Sequence, residues 1–282
     1  MQDLFTQKQT EQQMYLELLE QECKVNTDEI IEYPPVALSM GETLVRTKKG
    51  DMLLPTPIGT YGNISFVQAP PKTKKTFFIS LLASVYLSGK NNFGGDITGH
   101  REDKCLVHFD TEQGHFHAQR VFKRVLDMNS NNEVGCYHTY ALRTIGFKER
   151  IQFIEYIIAE KLKDQVGIVI IDGIADLVSD VNNLEESNAI IQKLMQWSAK
   201  HKCHIITVIH SNFGSDKPTG HLGSFLEKKC ETQIQLEANT VNKDWITVKC
   251  KRSRGYPFET FSFEVNEFGL PIIVGDLYDP LK

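Results

Sequence analysis

Two unbroken aliphatic runs constrain the fold most: Val166-Gly167-Ile168-Val169-Ile170-Ile171 and His204-Ile205-Ile206-Thr207-Val208-Ile209. A strand wetted on one side alternates polar and apolar residues, whereas a run without alternation suits a strand covered on both faces. Further strand candidates fall at 64–68, 105–109 and 135–140, beside 167–171 and 204–209. Helix-length amphipathic segments lie between them, at 75–88, 115–128, 148–162 and 184–200. Alternation of strand and helix predicts an α/β fold, a mainly parallel sheet flanked by helices. After Gly214 shorter alternating segments at 232–237, 245–249 and 260–265 predict an antiparallel extension toward the C-terminus.

Composition limits the partners. The chain has 282 residues, with 31 Lys and Arg against 36 Asp and Glu, a net charge of −5. That balance argues against coating nucleic acid by bulk charge, so any polyanion must be held locally. No apolar run approaches the ~20 residues a bilayer span needs. The polar start, MQDLFTQKQTEQQ, does not read as a secretory signal. Six scattered cysteines without a CxxC pair indicate neither a zinc site nor a disulfide framework, and predict reduced thiols in a cytoplasmic protein. Residues 1–55 read as an N-terminal extension: a short helix to about Cys23, the breaker Tyr33-Pro34-Pro35, then a polar connector. Residues 56–282 read as the main domain.

In such a sheet, chemistry belongs in the loops after the strands. The first is Ala69-Pro70-Pro71-Lys72-Thr73-Lys74-Lys75-Thr76, entering a helix at Phe77. A phosphate loop reads GxxxxGK[ST]: backbone amides cradle phosphate, the lysine reaches the terminal oxygens and the hydroxyl holds Mg²⁺. Lys75 and Thr76 stand at the required spacing, but Ala69 and Lys74 replace both glycines. A side chain at Lys74 would crowd the loop or force an unfavourable dihedral. A basic, proline-bearing loop that merely precedes a helix is the plainer reading.

The second strand ends in Asp110-Thr111-Glu112, where Glu112 can accept a proton from an attacking water. Equally, Asp110 or Thr111 can cap a helix with Glu112 favoured by its dipole. The fourth strand places Asp172 where a carboxylate can hold Mg²⁺, with Asp176 nearby, although a lone Asp is also a common turn residue. The fifth ends in His210-Ser211-Asn212; His210 is a γ-phosphate sensor or a satisfied strand-end histidine. A Gly/Ser/Asp/Lys stretch at 213–217 and Gly220-His221-Leu222-Gly223-Ser224 read as a long loop. Lys249, Lys251, Arg252 and Arg254 form a basic turn. It suits an arginine finger, phosphate-backbone contact or a solvated charge run.

In order and spacing, these elements resemble the RecA-like ATPase superfamily, and most nearly RepA-type plasmid helicases and related mobile-element ATPases. The likeness covers residues 60–271. It implies ATP and Mg²⁺ as cofactors, with Ala69 to Phe77 around the nucleotide and Thr76 and Asp172 on the metal. It implies Glu112 as catalytic base, His210 as sensor, and Lys251, Arg252 or Arg254 as a cation supplied in trans. It also implies a homo-oligomer, a hexameric ring or filament, working on single-stranded DNA and not on a membrane. The glycine-poor loop keeps an alternative open: a catalytically weak, nucleotide-gated assembly module. A stand-alone small-molecule kinase is a third reading.

Overall fold

The computed structural model describes residues 2–47, 50–130, 134–212 and 215–274. It divides into two compact units, Met1–Tyr33 and Pro34–Lys282. The first holds one helix, α1 (Gln2–Cys23), at the place expected, with Met14, Leu16 and Leu18 exposed.

The second unit runs β1 (Val36–Thr47), β2 (Gly50–Thr60), β3 (Ile64–Ala69), α2 (Lys75–Ser88), β4 (Ile97–Gly99), β5 (Cys105–Asp110), α3 (His115–Met128) and β6 (Tyr137–Ala141). It continues through α4 (Phe147–Tyr156), β7 (Val166–Asp172), α5 (Leu184–Lys200), β8 (His204–His210) and α6 (Gly220–Lys229). It closes with β9 (Thr232–Ala238), β10 (Ile246–Ser253), β11 (Phe261–Val265) and β12 (Pro271–Val274).

Among the described residues nine strands form the main sheet, in the order β12-β11-β10-β9-β3-β8-β7-β5-β6. From β9 to β6 every neighbour is parallel, and β10, β11 and β12 add on antiparallel. The expected α/β architecture with a C-terminal antiparallel extension is therefore present. Every residue of β3, β5 and β7 is buried, as continuous aliphatic runs require.

Helix α2 covers one face and is buried continuously from Phe78 to Leu87, so it is apolar all round. The other face packs Ile154 of α4, Ile190, Leu194 and Trp197 of α5, and Leu222 and Leu226 of α6. Each fully buried side chain of this size stabilises the fold by about 1.5–3 kcal/mol. Asn183 caps α5, its Oδ1 accepting the amides of Glu185 and Glu186.

Several expectations need correction. The stretch read as a polar connector contains β1 and β2, which pair with each other and, through β1, with β4 in a three-stranded sheet. Pro55 and Pro57 look like breakers, yet β2 is an edge strand, where a missing amide is tolerated. The helix expected over 148–162 is α4 plus a wider, π-helical stretch, Ile157–Lys161. Residues 220–224 are not loop but the start of α6. Gly220, at φ +69°, lies so near the Val181 carbonyl that a Cβ would meet it at 2.6 Å, which is why glycines stand here. Of the stretch 213–217, residues 213 and 214 lie outside the described residues, as do 275–282 of the expected main domain. All six cysteines are free. No helix among the described residues is long and apolar enough to cross a membrane.

Candidate active site

Strands β3, β8, β7 and β5 are successive neighbours, so their carboxyl ends form one row. Ala69 pairs in register with His210, and Asp110 with Asp172. Residues far apart in sequence thereby meet at one edge, the mouth where an α/β sheet holds ligands.

Between β3 and α2, Ala69 is buried while Pro70, Pro71 and Lys72 are exposed. The buried Thr73 hydroxyl donates to the Pro70 carbonyl at 2.7 Å, closing the loop on itself. Lys72 and Lys74 have φ of 67° and 56°, the left-handed region a glycine enters freely. For other residues it costs about 1–2 kcal/mol. The unfavourable dihedral expected at Lys74 is thus present, but the crowding is not. Its ammonium leaves the loop and donates to the Asp244 carbonyl between β9 and β10, at 2.8 Å. Phe77, in the first turn of α2, lies under the Arg124 guanidinium, 3.8 Å from its ring centroid.

The Lys75 ammonium points into the row. It donates to the Pro70 carbonyl at 3.2 Å and to His210 Nδ1 at 3.1 Å, which fixes His210 as the acceptor there. On the far side of the ring, His210 Nε2 lies 3.7 Å from Glu112 Oε1. Burial, then the Lys75 charge, holds the His210 pKa below its ordinary value, with Asp176 opposing. Burial lowers that of Lys75, against the pull of Glu112 and Asp172. Burial raises that of Glu112, reinforced by Asp176 and opposed by Lys75. Glu112 is therefore a stronger base than a solvated carboxylate.

Asp172 is pushed furthest, up to about 7, by burial and then by the carboxylates of Asp110 and Glu112, with Lys75 and the Thr76 hydroxyl bond opposing. Its Oδ2 and that of Asp110 are buried without a hydrogen-bond partner. The unpartnered Asp172 oxygen, on a carboxylate bonded to the Thr76 hydroxyl and near Asp110, belongs to a hard-oxygen set, and it fits the Mg²⁺ that the sequence resemblance implies. Among the described residues no three His, Cys, Asp or Glu side chains converge to hold a metal alone. A cation shared between Thr76, Asp172 and phosphate oxygens needs no such triad.

Supporting groups fix the carboxylates. Asp110 Oδ1 accepts the amides of Glu112 at 3.1 Å and Gln113 at 2.8 Å. It builds the turn that aims Glu112 and is not a helix cap, because α3 starts later, with Gly114 at its N-cap. The buried Thr111 hydroxyl lies within bonding reach of the Asp172 and Gly173 carbonyls and Asp176 Oδ2. Gly173, at φ +105°, leaves the space this needs: a Cβ would fall 2.4 Å from Thr111 Oγ1. Arg150 binds the carbonyls of Leu142, Ile145 and Asp176 and lies 3.8 Å from Asp176 Oδ1. Sequence reasoning missed Arg150, since an arginine in an amphipathic helix carries no signal of its carbonyl partners. It also missed Gln68, buried at the end of β3, which donates to Ser211 Oγ and the Asp216 carbonyl.

The basic residues of β10 and the turn after it bond to partners other than the row's own side chains, although Lys251 shares the Asp216 carbonyl with Gln68 at the end of β3. Lys251 donates to the Asp216 carbonyl, Arg252 lies 3.9 Å from Glu227, and Arg254 donates to the Lys229 carbonyl at 2.9 Å. Lys249 pairs with Glu237 at 2.6 Å. The structure thus brings Lys75, Thr76, Glu112, Asp172 and His210 together and directs Lys251, Arg252 and Arg254 to the loop after β8 and to α6.

A family model described as an AAA domain matches residues 49–216, more than half of the chain and the whole stretch from before β3 to the loop after β8. The fold is similar to that of the RadB recombinase, with a TM-score of 0.53 and 16% sequence identity. The match covers 76% of this chain and 92% of that one. No curated protein matches the chain in sequence.

Proposed function

The chain belongs to the AAA domain family, and on that premise we propose that it is a Mg²⁺-dependent ATPase that couples nucleotide hydrolysis to work on DNA. One observation carries the reading: Lys75, Thr76, Glu112, Asp172 and His210 gather at the carboxyl ends of four neighbouring strands. Nucleotide phosphates fit the Ala69–Thr76 loop, where the first amides of α2 have no intrahelical acceptor and the helix dipole favours an anion. Lys75 exchanges the Pro70 carbonyl and His210 for phosphate oxygens. Thr76 and Asp172 hold Mg²⁺, which supplies neutralisation of phosphate charge. Glu112 takes the proton of the attacking water, aided by its raised pKa. His210, between Lys75 and Glu112, senses whether the terminal phosphate is present.

The finer reading follows the sequence resemblance. The chain is a RepA-like DNA-processing motor that assembles with copies of itself, and one of Lys251, Arg252 or Arg254 serves the neighbour's nucleotide. Single-stranded DNA is the expected activator. Lys75→Ala and Glu112→Gln should each lower ATP turnover by about 10²–10⁴-fold. Glu112→Gln should retain nucleotide binding and Lys75→Ala should lose it. Wild-type chain without turnover, with and without single-stranded DNA, would refute the enzymatic reading. The strained, glycine-free loop favours a second reading, a nucleotide-gated assembly module. Tight binding of a non-hydrolysable ATP analogue without turnover of ATP would select it.

A further inference from the structure

The hairpin of β1 and β2 changes character along its length. Near its root Ala37, Leu38, Met40, Thr56 and Ile58 are buried, and Leu38, Ser39 and Met40 pair with β4. The register slips between Ser39 and Glu42, and beyond it the two strands, among the described residues, pair only with each other. In this outer arm Leu44 lies opposite Leu53, Val45 opposite Met52 and Thr43 opposite Leu54. Opposed residues share a face and successive pairs alternate. One face therefore presents Leu44 and Leu53, the other Val45, Met52 and Leu54. Leu44, Met52 and Leu53 are 56%, 50% and 61% exposed. A lone two-stranded ribbon is marginal in water, and open edges with apolar faces call for a partner.

Charge identifies that partner. A cavity of about 260 Å³ lies at the arm's root, lined by Glu42, Asp96 and Glu259 with Thr43, Thr56 and Phe258, and, among the described residues, by no Lys or Arg. Arg46 stands at the arm's outer end, 88% exposed at its side chain and 3.9 Å from the Asp51 carboxylate opposite it, and the sequence continues with Lys48 and Lys49, outside the described residues. A polyanion lying along the arm would meet apolar side chains and then three carboxylates, so nucleic acid is disfavoured. A second arm is complementary. Residue 44 is midway between 42 and 46, and four residues of strand span ~13 Å. Two arms crossed antiparallel about Leu44 and Leu53 would put Arg46 of each beside the acidic root of the other, a self-complementary two-fold contact.

We propose that residues 42–46 and 51–55 form an arm that pairs with the same arm of a second copy, Leu44 and Leu53 at the two-fold axis and Arg46 on the partner's acidic root. The contact does not depend on nucleotide chemistry, so it stands or falls separately from the ATPase reading. The test is the mass of the full-length chain by sedimentation equilibrium. The wild type should contain pairs, and Leu44→Ser with Leu53→Ser should halve its mass with an unchanged thermal melt. Arg46→Glu should also dissociate it, and Arg46→Glu combined with Glu42→Arg should restore the pair, a rescue that general damage to the hairpin cannot give. A monomeric wild type, or an unchanged mass in the double serine variant, overturns the proposal. So does loss of DNA retention by that variant without a change in mass, which would assign the arm to nucleic acid.

Discussion

Lys72 and Lys74 hold the phosphate loop in a shape that their side chains disfavour, and they differ in what they gain from it. Lys74 has a bond to the Asp244 carbonyl that offsets its left-handed backbone. The Lys72 ammonium makes no hydrogen bond among the described residues, so its φ of 67° is uncompensated. Glycine removes about 1–2 kcal/mol of strain and adds about 0.5–1 kcal/mol of unfolded-chain entropy. Lys72→Gly should therefore stabilise the chain by up to about 1 kcal/mol. Lys74→Gly, which also loses an exposed bond worth about 0.5–1 kcal/mol, should be close to neutral. Urea unfolding of the two variants in parallel checks the ordering. Equal gains would mean that the Asp244 bond contributes nothing.

Among the elements, those with two covered faces were the readable ones. β7 and β8 have no polar alternation because both their faces are buried; α3 and α5 were legible to the residue from their apolar spacing, and α2 from its helix-length apolar run. The hairpin was not: the outer half of β2 is exposed and its proline-bearing inner half is buried, so neither period shows. The row of site residues was legible in part, because Asp172 ends an aliphatic strand, Glu112 stands two residues after β5 and Lys75 opens the helix that follows β3. Their fixings, Arg150 to carbonyls and Asp110 to amides, depend on contacts no spacing encodes. One fixing of an element is testable. Glu231, mostly buried before β9, accepts the Thr60 amide at 2.8 Å and the Thr60 hydroxyl at 2.7 Å, joining the end of β2 to the main sheet. Glu231→Ala leaves both donors unsatisfied and should cost about 2–4 kcal/mol in urea unfolding. Glu231→Gln should cost less, since one bond survives. Equal losses in the two would show that charge, not hydrogen bonding, holds the junction.

At the scale of the molecule, two buried groups set opposite pH slopes on stability. His108 lies inside against Phe122 and Tyr137, and burial lowers its pKa from 6.5 to about 3. Between those values the unfolded chain binds the extra proton, so stability falls as pH drops through this window. Asp172 is raised from 3.8 to about 7, so there the folded chain binds the extra proton, and stability falls as pH rises. Each slope approaches about 1.4 kcal/mol per pH unit, and over the shared range they largely cancel. Wild-type chain free of metal and nucleotide should therefore show little dependence from this pair, a balance that single substitutions expose. From about pH 8 to about pH 5, His108→Phe should gain about 2 kcal/mol relative to wild type, and Asp172→Asn should lose about 2–3 kcal/mol relative to it. Denaturant unfolding at both pH values measures the two differences. Slopes of the same sign in both variants would mean that one of these groups is not held in the protonation state its burial dictates. If Asp172 holds Mg²⁺ as proposed, saturating Mg²⁺ and nucleotide favour its ionised form, so they should stabilise the wild type more at the higher pH and leave Asp172→Asn with little such response.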